Sequence, residues 1–247
     1  MARVAGKAGR YASSQVSEKW ARGTVVLYIA GVLVSFVYGL SLAKWALWKG
    51  ITAIAIQLGI LLVVCAFVRK MDKEAASWWK GYKGEVLVAK KLIDELPNTF
   101  WVINDIQTPL GNFDHVVVGP TGVFAVETKN WRGWVTPDGK GELLVNGKPV
   151  GNHVRTLYNR IMGVKGRLTK TDRYIQGVMV FASAYEDAPW GTTQSINCIS
   201  IDSIPDYFTK MQRPSKPLSP NEVDAIAQAF QEIGRLDKDF TVRTKVS

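Results

Sequence analysis

Hydrophobic positions along the chain change their pattern once. Residues 24–43 (TVVLYIAGVLVSFVYGLSLA) run for 20 residues without a charge, and residues 50–68 (GITAIAIQLGILLVVCAFV) for 19. At 1.5 Å per residue each is about 30 Å long as a helix, the thickness of a bilayer's hydrocarbon core. A buried helix of a soluble protein rarely stays apolar on every face for so long. The pattern predicts two transmembrane helices, joined through residues 44–49 (KWALWK) as an antiparallel hairpin. Trp45 and Trp48 suit an aromatic belt at the far interface. Gly31, Ser35 and Gly39 form a stripe of small residues against which the second span is expected to pack. Ser41-Leu42-Ala43 resembles a signal-peptide cleavage site, but the apolar run is long for a signal and a second span follows at once.

From Asp72 the pattern turns amphipathic. Val86, Ala89, Lys90, Ile93 and Leu96 fall near one another on a helix predicted over 72–96, which Pro97 ends. Three strands are expected next, over 100–107 (FWVINDIQ), 113–119 (FDHVVVG) and 123–129 (VFAVETK). Turns at 109–112 and 119–122 separate them. Asp138-Gly139 and Asn146-Gly147 mark hairpins. Val154, Leu157, Ile161, Val164 and Leu168 repeat at helical spacing and predict a helix over 153–169. Two apolar strands follow, IQGVMVFAS (175–183) and SINCISIDSI (195–204). Ser219-Pro220-Asn221-Glu222 is a capping box that opens a last helix, expected to stop near Gly234 before a loose tail at 235–247. The order reads as one α/β domain over 84–234.

Charge orients this arrangement. Lys and Arg number 31 against 21 Asp and Glu, a formal net charge of +10. Basic residues crowd the segment 1–23 and the linker 69–83, whereas the loop between the spans has two lysines. The positive-inside rule then places the N-terminus and the long C-terminal part in the cytoplasm, with both basic segments held to anionic lipid. Cys65 and Cys198 are far apart and support neither a disulfide framework nor a zinc site. There is no HExxH, P-loop or GxSxG pattern, so zinc-protease, NTPase and serine-hydrolase chemistry are unsupported.

Candidate chemistry lies at the ends of two apolar strands. Asp114 opens one, and Glu127 and Lys129 close the next. Glu127 and Lys129 are two apart and share a strand face. The turn at 119–122 makes the strands antiparallel neighbours, so all three residues converge at one edge of the sheet. Two carboxylates brought together repel unless a cation lies between them. A hard divalent ion such as Mg²⁺ or Mn²⁺ meets that need, and an adjacent lysine could hold or help deprotonate a water, or stabilise charge on a phosphate. His115 alternates to the opposite face and reads as packing; neither it nor His153 has metal-site spacing.

The segments GEVLVAKKL, VINDI and FDHVVVGPTGVFAVETKNWRG resemble the nuclease-related domain, NERD, of the PD-(D/E)xK nuclease superfamily. The likeness is dense over 84–133 and thinner, by pattern, to about Gly234. It implies a restriction-endonuclease-like fold, with a central mixed sheet flanked by helices. It further implies metal held by Asp114, Glu127 and the Thr128 carbonyl, with Lys129 catalytic and Glu85 contributing from the preceding helix. Glu85 taken alone reads equally as a solvated helix acid. One departure stands out: the family's Asn-Pro and following Gln at a helix start are here Asn152-His153 and Thr156.

Residues 129–173 hold ten basic against three acidic side chains. Arg132, Arg155, Arg160, Lys165 and Arg167 are the expected contacts to a phosphate backbone, with a solvated polar face as the bland alternative. Trp131 and Trp134 could stack on bases, although packing suits at least one. The sequence thus predicts a membrane-tethered, Mg²⁺-dependent nuclease acting on nucleic acid, DNA above RNA. A non-catalytic adaptor that keeps the fold is the alternative. Assembly with other membrane subunits or with further copies of the chain is left open.

Overall fold

The structure, a computed structural model, describes residues 1–42, 47–165, 173–183, 185–186, 195–211 and 217–244. It divides into two compact units, one formed by Met1–Arg10 with Gly81–Ser247 and the other by Tyr11–Lys80.

Two helices, α1 (Arg10–Leu42) and the first part of α2 (Leu47–Glu95), make up the Tyr11–Lys80 unit. Both are long and apolar enough to cross a membrane, and only 6% and 0% of their most apolar windows are buried. A core helix would instead be mostly covered. Leu62, Val63 and Phe36 are widely exposed. The apolar seam between the helices is lined by Val26, Ile29, Leu33, Ile56, Ile60 and Val64. Gly31 and Gly39 instead face open space. The small-residue stripe is therefore not the packing surface; the branched aliphatic side chains take that place. Trp45 lies outside the described residues, as does the side chain of Trp48.

Nor does α2 break at the end of its apolar run. Residues 69–80 contain no proline or glycine, so one helix continues where a span and a separate helix were expected. Within this unit the basic flanks are partnered by each other. Lys19 pairs with Glu74, Tyr11 meets Trp78 edge to face at 6.1 Å, and Gly23 lies against the Met71 side chain.

The other unit is built on a six-stranded mixed sheet. Its strands are β1 (Arg3–Ala5), β2 (Trp101–Thr108), β3 (Gly111–Gly119), β4 (Gly122–Lys129), β8 (Ile175–Phe181) and β10 (Ile196–Ser200), in that spatial order. β2, β3 and β4 form an antiparallel meander, and β8 and β10 join parallel to β4. The β4–β8 crossover carries a second sheet of β5 (Trp134–Pro137), β6 (Leu143–Val145) and β7 (Lys148–Pro149), joined by β9 (Tyr185–Glu186), and the helix α3 (His153–Val164). Asn146 (φ 50°) and Gly147 (φ 73°) both adopt the left-handed conformation that a two-residue hairpin turn requires. The predicted strand 195–204 ends at Ser200; Ile201–Ser203, α4 (Ile204–Asp206) and Tyr207–Met211 are helical turns.

Each face of the sheet is covered by helices. Val88, Leu92 and Leu96 of the α2 end pack on Val102, Val117, Phe124, Val126, Val178 and Val180. Val86, grouped with that stripe on the sequence, is 39% exposed. The opposite face receives Val154, Leu157, Ile161 and Val164 of α3 and Val223, Ile226 and Phe230 of α5 (Pro220–Thr244). Ser219 and Glu222 exchange their capping bonds at 2.8 and 3.3 Å. The helix then runs through Gly234 to Thr244, past the expected stop. One glycine costs about 1 kcal/mol in a helix interior, and no proline follows to end it.

Residues 1–10, expected to lie with the membrane segment, belong to the sheet unit. β1 pairs parallel with β2, Arg3 beside Trp101 and Ala5 beside Ile103. The Ala2 N–H donates to the Ile93 carbonyl at 2.9 Å, and the Arg3 N–H to that of Phe100 at 2.9 Å. Arg3 pairs with Asp224 at 2.6 Å and lies 4.7 Å from the Trp101 ring centre, so it is not held for lipid. Gly6 (φ +77°) passes so close to β2 that an added Cβ would stand 2.4 Å from the Asn104 carbonyl oxygen. Gly6→Val in the full-length protein in detergent micelles is expected to destabilise the sheet edge by about 1–3 kcal/mol. Hydrogen exchange at residues 101–103 should accelerate; unchanged protection there would show that β1 does not hold the edge.

Candidate active site

Asp114, Glu127 and Lys129 do converge. The β3–β4 register pairs His115 with Val126, which places Asp114 and Glu127 on the next rung. The Thr128 N–H donates to Asp114 Oδ2 at 2.7 Å. A local irregularity in β2 faces this point. Asn104 pairs with His115 and Ile106 with Phe113, yet the rung between them, Asp105 opposite Asp114, is missing. Asp105 has a φ of 57°. Ile103 and Ile106, like Phe113 and Val116, then reach the same core face although they are three apart. Two carboxylates directly opposed across a ladder repel, and the distortion falls at that pair.

Glu127 is clamped by two cations. Lys129 Nζ donates to Oε1 at 2.8 Å and Arg160 donates to Oε2 at 3.0 Å. The same Arg160 nitrogen also donates to the Asn112 carbonyl. All three side chains are largely buried, at 15%, 16% and 14% exposure for Glu127, Lys129 and Arg160. Burial would raise the Glu127 carboxyl, but the two cations outweigh it and hold it below its usual range. Burial likewise works against charge on Lys129, but Glu127 and Asp114 overcome it and keep the ammonium protonated. Lys129 therefore stands in the site as a hydrogen-bond donor and a positive charge.

Other acids of the site lack such relief. Burial first, and then the charges of Glu127 and Glu85, push the Asp114 carboxyl well above its ordinary range. Glu85 is pushed up to about 7 by burial, with Asp105 and Glu127 adding to it. It reaches the site because α2 comes close at Gly84, where an added Cβ would stand 2.7 Å from that of Asn130. Asp105 accepts from the Asn112 side chain at 2.8 Å. Four carboxylates around one lysine and one arginine form a hard-oxygen donor set short of positive charge, which fits a divalent cation. Among the described residues no three acid, histidine or cysteine side chains converge closely enough to hold an ion as they stand.

His115 is fully buried behind the site. Its Nδ1 lies 2.8 Å from Asn104 Oδ1 and its Nε2 3.3 Å from Thr128 Oγ1. Burial pushes it down to about 3, so it is neutral. Nδ1 then donates to Asn104, and Nε2 accepts from the hydroxyl of Thr128, the residue whose N–H holds Asp114. His153 is lowered chiefly by burial and packs tilted against Trp131, with ring centres 5.2 Å apart, and Trp131 also meets Phe181 at 5.8 Å. Trp131 is thus packed, while Trp134 is 55% exposed.

The expected phosphate contacts separate. Arg132 and Arg155 are exposed. Lys165 lies 5.8 Å from the Tyr174 ring centre. Arg167 is outside the described residues. Arg160, expected on the open face of α3, turns inward to Glu127 and sits over the Phe113 ring at 5.6 Å. The reason is its position on the flank of the buried stripe, between Leu157 and Val164, where a long stem can follow apolar surface inward to a carboxylate. The α3 N-terminus, without the family's Asn-Pro, is capped by Glu142, whose oxygens accept from the Val154 and Arg155 N–H groups at 3.0 and 2.9 Å. Asp105 was missed on the sequence, since regular alternation gives it no role.

The site lies in an α/β domain whose central mixed sheet is flanked by helices. Residues 80–182 match the family model of the nuclease-related domain, NERD, and thus contain Glu85, Asp114, Glu127, Lys129 and Arg160. The match bears out the resemblance over 84–133 and ends well before Gly234. An uncharacterized Bacillus anthracis protein is 37% identical over 81 residues, which are 31% of this chain and 38% of that protein. The chain therefore spans well under half the length of that relative. No solved structure matches it.

The raised Glu85 carboxyl carries a pH signature. Its ionised form is disfavoured in the folded chain, so its burden on stability is absent at acid pH and grows as pH rises from about 4.5 through about 7. In EDTA, Glu85→Gln should be more stable than wild type by about 1–3 kcal/mol above pH 8, and nearly equal to it near pH 5. Denaturant unfolding of the full-length protein at both pH values measures this. A difference independent of pH would place Glu85 in water.

Proposed function

We propose that the chain is a membrane-anchored, divalent-metal-dependent nuclease that hydrolyses phosphodiester bonds, of DNA in particular, at the cytoplasmic face of a membrane. The observation that carries this reading is the convergence of Asp114, Glu127 and Lys129 at adjoining strand ends within the part of the chain that matches a nuclease-related domain. Asp114, Glu127 and the Thr128 carbonyl are the residues that would hold the metal. When bound, the metal supplies Lewis-acid charge to the phosphate and lowers the pKa of a water. Lys129, kept protonated, donates to a phosphate oxygen and offsets the charge that develops there. Thr128 orients Asp114 through its N–H, and its hydroxyl is fixed by His115. Exposed Arg132 and Arg155 meet the polymer backbone, which makes binding salt-dependent.

The anchor reading is supported by the two apolar helices, by the exposure of their side chains and by the connectivity of β1. Because β1 pairs in the same sheet as β2, both ends of the hairpin lead into one folded unit, which supports a reading with both on one side of a bilayer. The basic flanks choose the cytoplasmic side. Single cysteines at Lys7 and Asp138, in a chain freed of Cys65 and Cys198, should both react with an impermeant maleimide in inverted vesicles and not in intact cells. Labelling from opposite sides would exclude the hairpin.

The test of activity uses the full-length protein in detergent micelles, since β1 belongs to the domain. Linear, circular and single-stranded DNA and RNA are incubated with Mg²⁺, Mn²⁺ or EDTA. Cutting should require metal, and Asp114→Ala or Lys129→Ala should lower it by about 100-fold or more, as expected when a transition-state charge contact is lost. One feature favours the adaptor reading instead: both Glu127 oxygens already have protein partners. Salt-dependent retention of DNA with no cutting in any metal would select it.

A further inference from the structure

We infer that Arg160 is a displaceable internal cation, which pairs with Glu127 and competes with a divalent ion for that carboxylate. The inference rests on the metal site of the proposed nuclease and concerns its regulation. Glu127 places one oxygen on Lys129 at 2.8 Å and the other on Arg160 at 3.0 Å, while Asp114, its neighbour, accepts from the Thr128 N–H. An ion held by Asp114 and Glu127 would lie beside the guanidinium. Two positive groups then share one carboxylate in a largely buried site, and their repulsion is poorly screened.

The arginine's other contacts indicate a resting position that is incompletely used. Its Nε–H is buried without a partner, and so is Asn112 Oδ1, on the residue whose carbonyl Arg160 does engage. These are two of the three such buried atoms among the described residues. An arginine that only pinned the structure would normally spend its buried donors, because each one left unmade costs stability. Space for the group depends on Gly111 (φ +117°), where a Cβ would stand 3.0 Å from Arg160 Nε. Release from Glu127 would leave a guanidinium next to the position of a bound phosphate, for which its fork of donors is suited.

Mn²⁺ binding to the full-length protein in micelles, followed by calorimetry and by the Mn²⁺ electron-spin signal, tests this without reference to cleavage. Arg160→Met keeps the apolar stem and removes the charge. It should bind Mn²⁺ at least five-fold tighter than wild type, and Mn²⁺ should raise its melting temperature more. Arg160→Lys should fall between the two, and remains informative if the methionine variant does not fold. Lys148→Met, at an exposed position of β7, should match wild type, and in a Glu127→Gln background Arg160→Met should bring no gain. Unchanged or weaker Mn²⁺ binding in both Arg160 variants overturns the inference. If wild type cuts DNA yet the variants bind no tighter, the inference falls and the nuclease reading stands. If binding tightens as expected and nothing is cut, the inference stands and catalysis falls. Absence of Mn²⁺ binding in every protein ends both.

Discussion

A carboxylate kept ionised away from water requires a cation, and the sheet unit meets that requirement at Glu127 with two. Lys129 and Arg160 come from different elements, so the ion pair ties the end of β4 to α3 across the β5–β7 crossover. Its geometry depends on three local features. Gly111 leaves room for the guanidinium, Gly84 lets α2 approach Asn130, and the irregular rung at Asp105 turns β2 and β3 across the sheet. Remove the cations and four acids face one another. Breaking a buried pair on one side typically costs about 3–5 kcal/mol, because an uncompensated charge is left behind.

Where the site could be read from sequence, the signal was strict periodicity. Alternation put Glu127 and Lys129 on one strand face, and a four-residue turn folded Asp114 back to them. The capping box at Ser219 and the Asn146-Gly147 turn were legible because their chemistry is local, with donors and acceptors only a few residues apart. The buried stripe of α3, from Val154 to Val164, was legible for the same reason.

What escaped the sequence is nonlocal or ambiguous by period. Arg160 stands on the border of its helix's buried face, where spacing alone cannot say whether a long side chain turns out or in. Asp105 breaks the strand period at one residue, and a positive φ at an aspartate leaves little trace in composition. Arg3-Val4-Ala5 is too short to announce a strand, and its partner lies nearly a hundred residues away. The continuity of α2 was hidden by a change of solvent preference, from apolar all round to amphipathic, with no change of backbone.

The pairing of β1 with β2 also orders the birth of the molecule. β1 is made before both apolar helices and β2 after them, so the edge of the sheet cannot close until the whole hairpin has left the ribosome. On the proposed membrane reading, a chain whose hairpin inserts with its ends on opposite sides can never bring the two strands together. Its sheet would keep a bare β2 edge, the kind of surface that invites aggregation and proteolysis. Native closure of the sheet is then a proofreading step: only chains threaded correctly through the bilayer complete their fold.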